Sequence, residues 1–335
     1  MEKTNKKGFL AWFTDNWKRK PLFSTGIALL VMVILQILAL GFDYASFGEW
    51  FAAFSRNWIN ILRNNAGVGI IALGMTFVII SGGIDLAVGS TMVAIGAVVM
   101  SLIDGGPAGL LAGLGITGIP AYIIAIAIGI LLGVLLGECT GVLVAHFGMP
   151  PFIATLGMMK ICRSVTQQCM QKASPTVPKA FLKIANARIG GEIILPILYW
   201  LALAVILHVV SKHTAFGRQV FAIGSNVRAV KRRVYALMGA LVAVTAAIQI
   251  ARIGSMDYAN AGSGYEMDAI AAVIIGGTSM SGGRGSVIGS VLGMLILAVM
   301  NNLLNLIGVP PFLREAFKGI IVIGAVLLQK KEKAS

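Results

Sequence analysis

Long apolar runs separated by short charged or Pro/Gly-rich breaks occupy residues 23–41, 64–80, 86–103, 120–145, 151–170, 193–210, 234–253, 268–280, 286–307 and 313–329. Most approach the roughly 20 residues that a helix needs to cross the hydrocarbon core of a bilayer. The pattern predicts an all-α integral membrane protein with about ten transmembrane helices, some of them broken or short. Runs 64–80 and 268–280 are notably short and each leads into a Gly-rich break, so interrupted helices are expected at both. The apolar, Gly-rich stretch 110–119 is too brief to cross and reads as a re-entrant or interfacial piece. On this reading the chain comprises a basic N-terminal segment 1–22, a single transmembrane domain 23–329 and a short tail 330–335.

Composition strengthens the membrane reading. Of the 335 residues, 57% are apolar and only 12% charged, with a mean hydropathy of +0.88, which excludes a soluble globular domain of ordinary composition. The formal net charge of +14 does not point to nucleic acid, because the basic residues flank apolar runs and form no aromatic-interleaved face. Orientation explains them better. Lys3, Lys6, Lys7, Lys18, Arg19 and Lys20 precede the first run. Lys212, Arg218, Arg228, Lys231, Arg232 and Arg233 lie in the stretch 212–233, and Lys330, Lys331 and Lys333 close the chain. With ten crossings these groups share one side, which puts both termini in the cytoplasm; the outer loop 171–192, with Lys172, Lys179, Lys183 and Arg188, weighs against this without reversing it. The first run ends in Gly41-Phe42-Asp43-Tyr44 and not in a small-residue cleavage site, so it reads as a retained helix. Cys139, Cys162 and Cys169 supply neither a disulfide framework nor metal-ligand spacing.

The few polar groups inside apolar runs each have two readings. Asp85 lies in GMTFVIISGGIDLAVGS, residues 74–90. A carboxylate at membrane depth costs roughly 2.5–3.5 kcal/mol on insertion scales, and such groups usually face protein or water along a pathway. Equally, Asp85 caps a helix that begins near Leu86. Glu266 and Asp268 stand just before an apolar helix, where acids gain roughly 0.3–1 kcal/mol from the helix dipole, so capping accounts for them without a path. Asn301, Asn302 and Asn305 interrupt another run, either tying helices together or lining a polar path. Glu138, in GECTG, opens an alternative for the whole chain: an ion-coupled secondary transporter or channel in which Asp85 or Glu138 carries a proton or cation. Gly129, Gly133, Gly137 and Gly141, and Gly285, Gly289 and Gly293, recur every fourth position and predict close helix packing. SGGIDLAVGS (81–90) and SGGRGSVIGS (281–290) share five of ten positions. Inverted halves would set them on opposite sides, whereas the threading puts them on the same side, so Gly/Ser-rich composition is the simpler account.

Four stretches together resemble the membrane permease subunits of ribose-type sugar ABC importers: residues 74–90, PPFIATLGMM (150–159 with its preceding Met149 excluded), GYEMDAIAAVIIGGTSMSGGRGSVIG (264–289) and NNLLNLIGVPPFLREAFKG (301–319). The resemblance runs from about residue 60 to the C-terminus, with the motifs in the family's order. It implies one of two permease subunits, in a homodimer or heterodimer, forming the translocation path for a monosaccharide or related small polar solute in the bacterial inner membrane. The implied partners are a cytoplasmic ABC ATPase, which uses the ATP, and a periplasmic or lipid-anchored sugar-binding protein. The chain has no GxxxxGK[ST] phosphate loop and no supported catalytic set, so it reads as a transport subunit that binds no cofactor, not as an enzyme. Path candidates are Asp85, Asn301, Asn302 and Asn305, then Glu266 and Asp268. The resemblance assigns ATPase coupling to the stretch 212–233, with Phe216, Gly217, Arg218, Asn226, Arg228, Arg232 and Arg233 as candidates. The chain departs from the family here: after FGRQVFAIGSN the family continues through a block often reading like AARLSGIN, whereas Asn226 is followed at once by VRAVKRR. A shortened loop implies altered coupling, an uncoupled copy that transports nothing, or a sequence error.

Overall fold

A computed structural model of the chain describes residues 21–106, 109–171, 173, 175–222 and 227–334. The described residues form helices, α1 (Pro21–Leu40), α2 (Phe47–Ile80), α3 (Val88–Ile103), α4 (Leu110–Gly113), α5 (Gly118–Ala145), α6 (Pro151–Met170), α7 (Lys179–Asn186), α8 (Leu195–His213), α9 (Ala215–Ala222), α10 (Val227–Ile253), α11 (Tyr265–Ile275), α12 (Val287–Leu306) and α13 (Pro311–Ala334). Each of the ten predicted runs coincides with one of them. Six, namely α1, α2, α5, α8, α10 and α12, are both long and apolar enough to cross a membrane.

The run 64–80 is not a short helix but the second half of α2, whose 34 residues reach about 51 Å. Its start is capped from both sides: Ser46 Oγ accepts the Glu49 N–H, and Glu49 Oε2 reaches back to accept the N–H of Ala45, one residue before the N-cap. The first turns are too polar for a hydropathy window, carrying Arg56, Asn57, Asn60 and Arg63, yet Phe47, Trp50, Phe51, Phe54 and Trp58 recur at three- and four-residue spacing with ring centroids 5.4–6.3 Å apart, stacked as far as Phe54 and tilted between Phe54 and Trp58. From Val68 to Ile80 every residue is buried. A helix apolar on all sides belongs in the centre of a bundle, and this half packs against α8, α10, α11 and α12.

Around it, glycine decides how near the neighbours come. On α5, the glycine stripe opens against Ile95 and Val99 of α3 at Gly129 and faces α10 from Gly133 on: a Cβ on Gly133 would strike the Gly239 carbonyl, one on Gly239 the Gly133 carbonyl, and one on Gly137 the Tyr235 carbonyl. Close contact of this kind is a principal source of helix association in lipid, where apolar burial drives little. The second stripe serves α11 and α12 in the same way, with Gly289 against Gly276 and Gly293 against the Ala272 carbonyl. Both stripes are therefore spent inside the subunit.

Three segments differ from expectation. Helix α11 stops at Ile275, five residues early, because Gly276 and Gly277 end it, the latter in the left-handed region at φ 86°. Stretch 110–119 contains the single turn α4 and then the start of α5. Stretch 212–233 is mostly helix: the end of α8, α9, and the first turns of α10, which carry the basic run.

Candidate functional site

Two helix-to-helix breaks, 81–87 between α2 and α3 and 276–286 between α11 and α12, lie against each other. The Gly283 N–H donates to the Ile80 carbonyl at 2.9 Å, and Thr76 Oγ1 meets Ser290 Oγ at 2.7 Å. The two echoing sequences are thus neighbours in space. Gly82, at φ 74°, turns the chain out of α2. Tyr235 of α10 then donates to the Ile84 carbonyl at 3.0 Å, and Gly83 leaves room for it, since a Cβ there would stand 2.7 Å from the Tyr235 hydroxyl oxygen.

Asp85 follows, buried at 6% exposure. Its Oδ1 accepts the Ala87 N–H at 2.9 Å, closing a local turn just before α3, whose own N-cap, Ala87, has no side-chain capping bond. Asp85 is also drawn into a polar cluster. Gly89, in the first turn of α3, touches Gly262 just before α11, and Glu266 Oε2 packs over the same glycine, 3.2 Å from where a Cβ would stand. Asp85 and Glu266 lie within electrostatic reach of each other. From α6, Thr91's partner Cys162 (Oγ1 to Sγ 3.9 Å) and Arg163 close the cluster. Arg163 Nη1 donates to the carbonyls of Tyr258 and Ala261, at 3.2 and 2.9 Å, holding the 254–264 loop over the start of α3. In that loop, Asp257 accepts the Asn260 side chain and the N–H groups of Ala259 and Asn260, which hold its carboxyl below the usual carboxylate range. Two carboxylates, a hydroxyl and a guanidinium at the meeting of α3, α6 and α11 present acceptors and donors suited to a hydroxyl-rich solute.

The remaining predicted path residues divide. Asn302 is a tie: its Oδ1 accepts from Gln36 Nε2 of α1 (3.0 Å) and Asn57 Nδ2 of α2 (3.1 Å), and its Nδ2 donates back to Asn57 Oδ1 (2.9 Å). Asn305 is exposed and accepts from Arg314 at 3.2 Å. Asn301 keeps a buried Oδ1 without a hydrogen-bond partner. Asp268 pairs with Lys318 of α13 at 3.1 Å, and Glu315 shares that lysine at 3.0 Å. Among the described residues, none of these four shares a hydrogen bond or ion pair with Asp85.

Among coupling candidates, Phe216 of α9 stacks on Phe77 of α2, centroids 5.9 Å apart. Gly217 fits under the Val210 and Ser211 carbonyls, where a Cβ would collide. Arg218, Arg228 and Arg233 are exposed. Arg232 forms an ion pair with Glu138 across the α5–α10 seam. Glu138 therefore has a cationic partner and does not stand alone in an apolar helix, as the ion-coupled alternative would have it. Asn226, and with it the junction where the family's block is missing, falls outside the described residues.

Arg163, Gln36 and Asn57 were not singled out by sequence. Arg163 sits in a run read simply as apolar; its signal was the charge itself, at a position where a bilayer tolerates few.

The comparisons with known proteins bear on what such a bundle does. The family described as branched-chain amino acid transport system / permease component matches residues 57–326. The chain belongs to that permease family. This permease is 40% identical to the ribose import permease protein RbsC of Bacillus subtilis over 291 residues, 83% of this chain and 86% of that one. It is 35% identical to the ribose import permease protein RbsC of Escherichia coli K12 over 341 residues, 96% and 97% of the two chains. With the galactofuranose transporter permease protein YtfT of Escherichia coli K12 it shares 32% over 344 residues, 95% and 93%. No solved structure matches it.

Proposed function

We propose that this permease is the membrane subunit of a bacterial ABC importer for a monosaccharide or related small polar solute. It sits in the inner membrane with both termini cytoplasmic and about ten crossings, counting, with the six long apolar helices, the short α3 and α11, the charged α6, and α13. It works with a second permease copy, a cytoplasmic ATPase that uses the ATP, and a periplasmic or lipid-anchored sugar-binding protein. The carrying observation is the meeting of α3 with the chain entering α11 at Gly89 and Gly262, with Glu266 over Gly89 and the buried Asp85 in the break that leads into α3. Interrupted helices that end inside a bundle are how many transporters bring polar backbone and side chains to a solute.

Coupling follows from packing. Phe216 rests on Phe77, four residues before the break at Ser81, so movement of α9 by the ATPase bears directly on the end of α2. The break in turn holds Asp85. Neutral sugars need only weak polar contacts here if the binding protein supplies selectivity. Asp268, Asn302 and Asn305, each engaged elsewhere, act in this reading as ties between helices, and Asn301 stays a path candidate.

The test is uptake of labelled pentoses and hexoses into proteoliposomes holding the permease, its ATPase and its binding protein. ATP-dependent uptake that collapses in Asp85→Asn supports the reading. Uptake driven by an ion gradient without ATP would replace it with the secondary-transport alternative. Uptake only after the missing block behind Asn226 is restored would mark this copy as uncoupled.

A further inference from the structure

The lipid-facing side of α5 leads into a basic recess at the start of α10, whose arginines the family resemblance offers only in general terms to ATPase coupling. Ile128, Leu131 and Leu135 are exposed at 37, 59 and 52%, and they recur at three and four residues along the helix. The next step of three is Glu138. That stripe lies across the helix from Gly129, Gly133 and Gly137, which are buried against neighbouring helices, so it has no protein cover in the subunit. At its end opens a recess of about 300 Å³ lined by Glu138, Ala229, Arg232 and Arg233, between α5 and the start of α10. Glu138 neutralises Arg232. Arg233 and the nearby Arg228 are exposed and have no ion-pair partner among the described residues.

We infer that this recess binds the phosphate headgroup of an anionic phospholipid, whose acyl chain lies along Ile128, Leu131 and Leu135. An acidic phosphate ester meets the uncompensated guanidinium of Arg233 through charge-assisted hydrogen bonds, which an arginine fork suits better than an ammonium. A zwitterionic headgroup brings its own ammonium into the same space and gains less. The apolar stripe gives the ligand its second half: burying chain methylenes adds to affinity step by step, so a full-length lipid should hold where a bare phosphate does not. Glu138 sets the stoichiometry, because it consumes one arginine and leaves the other for the ligand. The topology proposed above puts this site in the cytoplasmic leaflet; the site itself does not rest on that topology.

The full chain, purified and delipidated in mild detergent, would be mixed with equimolar dioleoyl phosphatidylglycerol and dioleoyl phosphatidylcholine, and retained lipid counted by native mass spectrometry. Preferential retention of phosphatidylglycerol is expected, falling about fivefold in Arg233→Gln and largely kept in Arg233→Lys, with Arg232 left in place so that Glu138 is not stranded. Dihexanoyl phosphatidylglycerol should be held far more weakly than the dioleoyl lipid. Equal retention of the two headgroups, or unchanged retention in Arg233→Gln, overturns the proposal. So does displacement of the lipid by about 10 mM inorganic phosphate, which would make the ligand a free anion. Loss of ATPase association in Arg233→Gln with lipid retention intact also overturns it, giving the arginine to the partner. The readout needs no import, so its failure leaves the transport reading standing, and failed uptake leaves the lipid site standing.

Discussion

Asp85 and Asn302 are both polar groups inside an apolar bundle, and the sequence offers each the same two readings, path or tie. Their surroundings separate them. Asn302 spends both ends of its amide on Asn57 and accepts from Gln36 as well, so three helices are joined through one side chain. Asp85 makes one short-range bond to Ala87, and the acidic group that acts on it through space is Glu266, of the same sign. A polar group whose bonds are complete holds a fold together; one kept beside a like charge at a break in the helices is poised for something else. The lesson is that a polar residue in a membrane segment is assigned by accounting for its partners.

The sharpest way to break this comparison is to neutralise each side. Asp85→Asn keeps the size and the Ala87 bond, so thermal stability of the purified subunit should stay close to wild type. ATP-dependent uptake should fall about tenfold or more, the equivalent of about 1.4 kcal/mol on the barrier. Glu266→Gln should follow it in direction. If uptake is unchanged in both while the variants fold, the cluster is a structural turn and no more.

Asn302→Leu should do the reverse. Interhelical hydrogen bonds in membranes average about 0.6 kcal/mol and reach about 1.7, so losing three and stranding Gln36 and Asn57 should cost about 2 kcal/mol. The expected readout is a lower unfolding temperature with uptake per folded molecule retained. Replacing Gln36, Asn57 and Asn302 together by leucine should recover most of the loss, because no buried amide is then left unpaired. A stable Asn302→Leu chain that cannot transport would move Asn302 to the other side of the comparison.

Much of this was legible in the residues. Apolar runs marked a helix at all ten positions, and the glycine stripes announced the close seams, because both signals are local and repeat along one face. What stayed hidden depended on distant partners. The aromatic first half of α2 was obscured by Arg56, Asn57 and Arg63, which lower hydropathy although the stacked rings continue the helix. Glu138 and Arg232 are 94 positions apart, and Gln36 and Asn302 266 apart, so no spacing rule joins them. Asp85 was visible at once, but its neighbour Glu266 read as a helix cap until the two starts of α3 and α11 came together.

Asp268 tests an intermediate case, since its carboxylate is paired but partly exposed. Asp268→Asn should loosen α13 from α11 and lower stability by about 1 kcal/mol, the upper end for a solvent-accessible pair, with a smaller loss at high salt. Uptake should drop no more than folded protein does. The double variant Asp268→Asn with Lys318→Met should cost less than the two single changes summed, as expected for partners in one pair; strict additivity would show that the contact contributes nothing.

Asp104 supplies the smallest effect and the control outside the membrane-length helices. Just past α3, its Oδ1 accepts the N–H of Gly106 at 3.0 Å, and the N–H and hydroxyl of Thr176 at 3.1 and 2.9 Å, pinning the segment before α7. These bonds, the Gly106 N–H foremost, hold the carboxyl below the usual carboxylate range. A folded-state value lowered in this way stabilises above the ordinary aspartate pKa of about 3.9, and the contribution is lost as pH falls through the lowered value. The protection factor of the Thr176 amide, its exchange relative to the unstructured-chain rate at each pH, should therefore fall only in that acid range in the wild type, and be lower and nearly flat with pH in Asp104→Asn. A wild-type amide whose protection ignores acid would mean that Thr176 is held by the packing of α7 and not by the carboxylate, and the rule of assigning polar groups by their partners would fail outside the membrane-length helices.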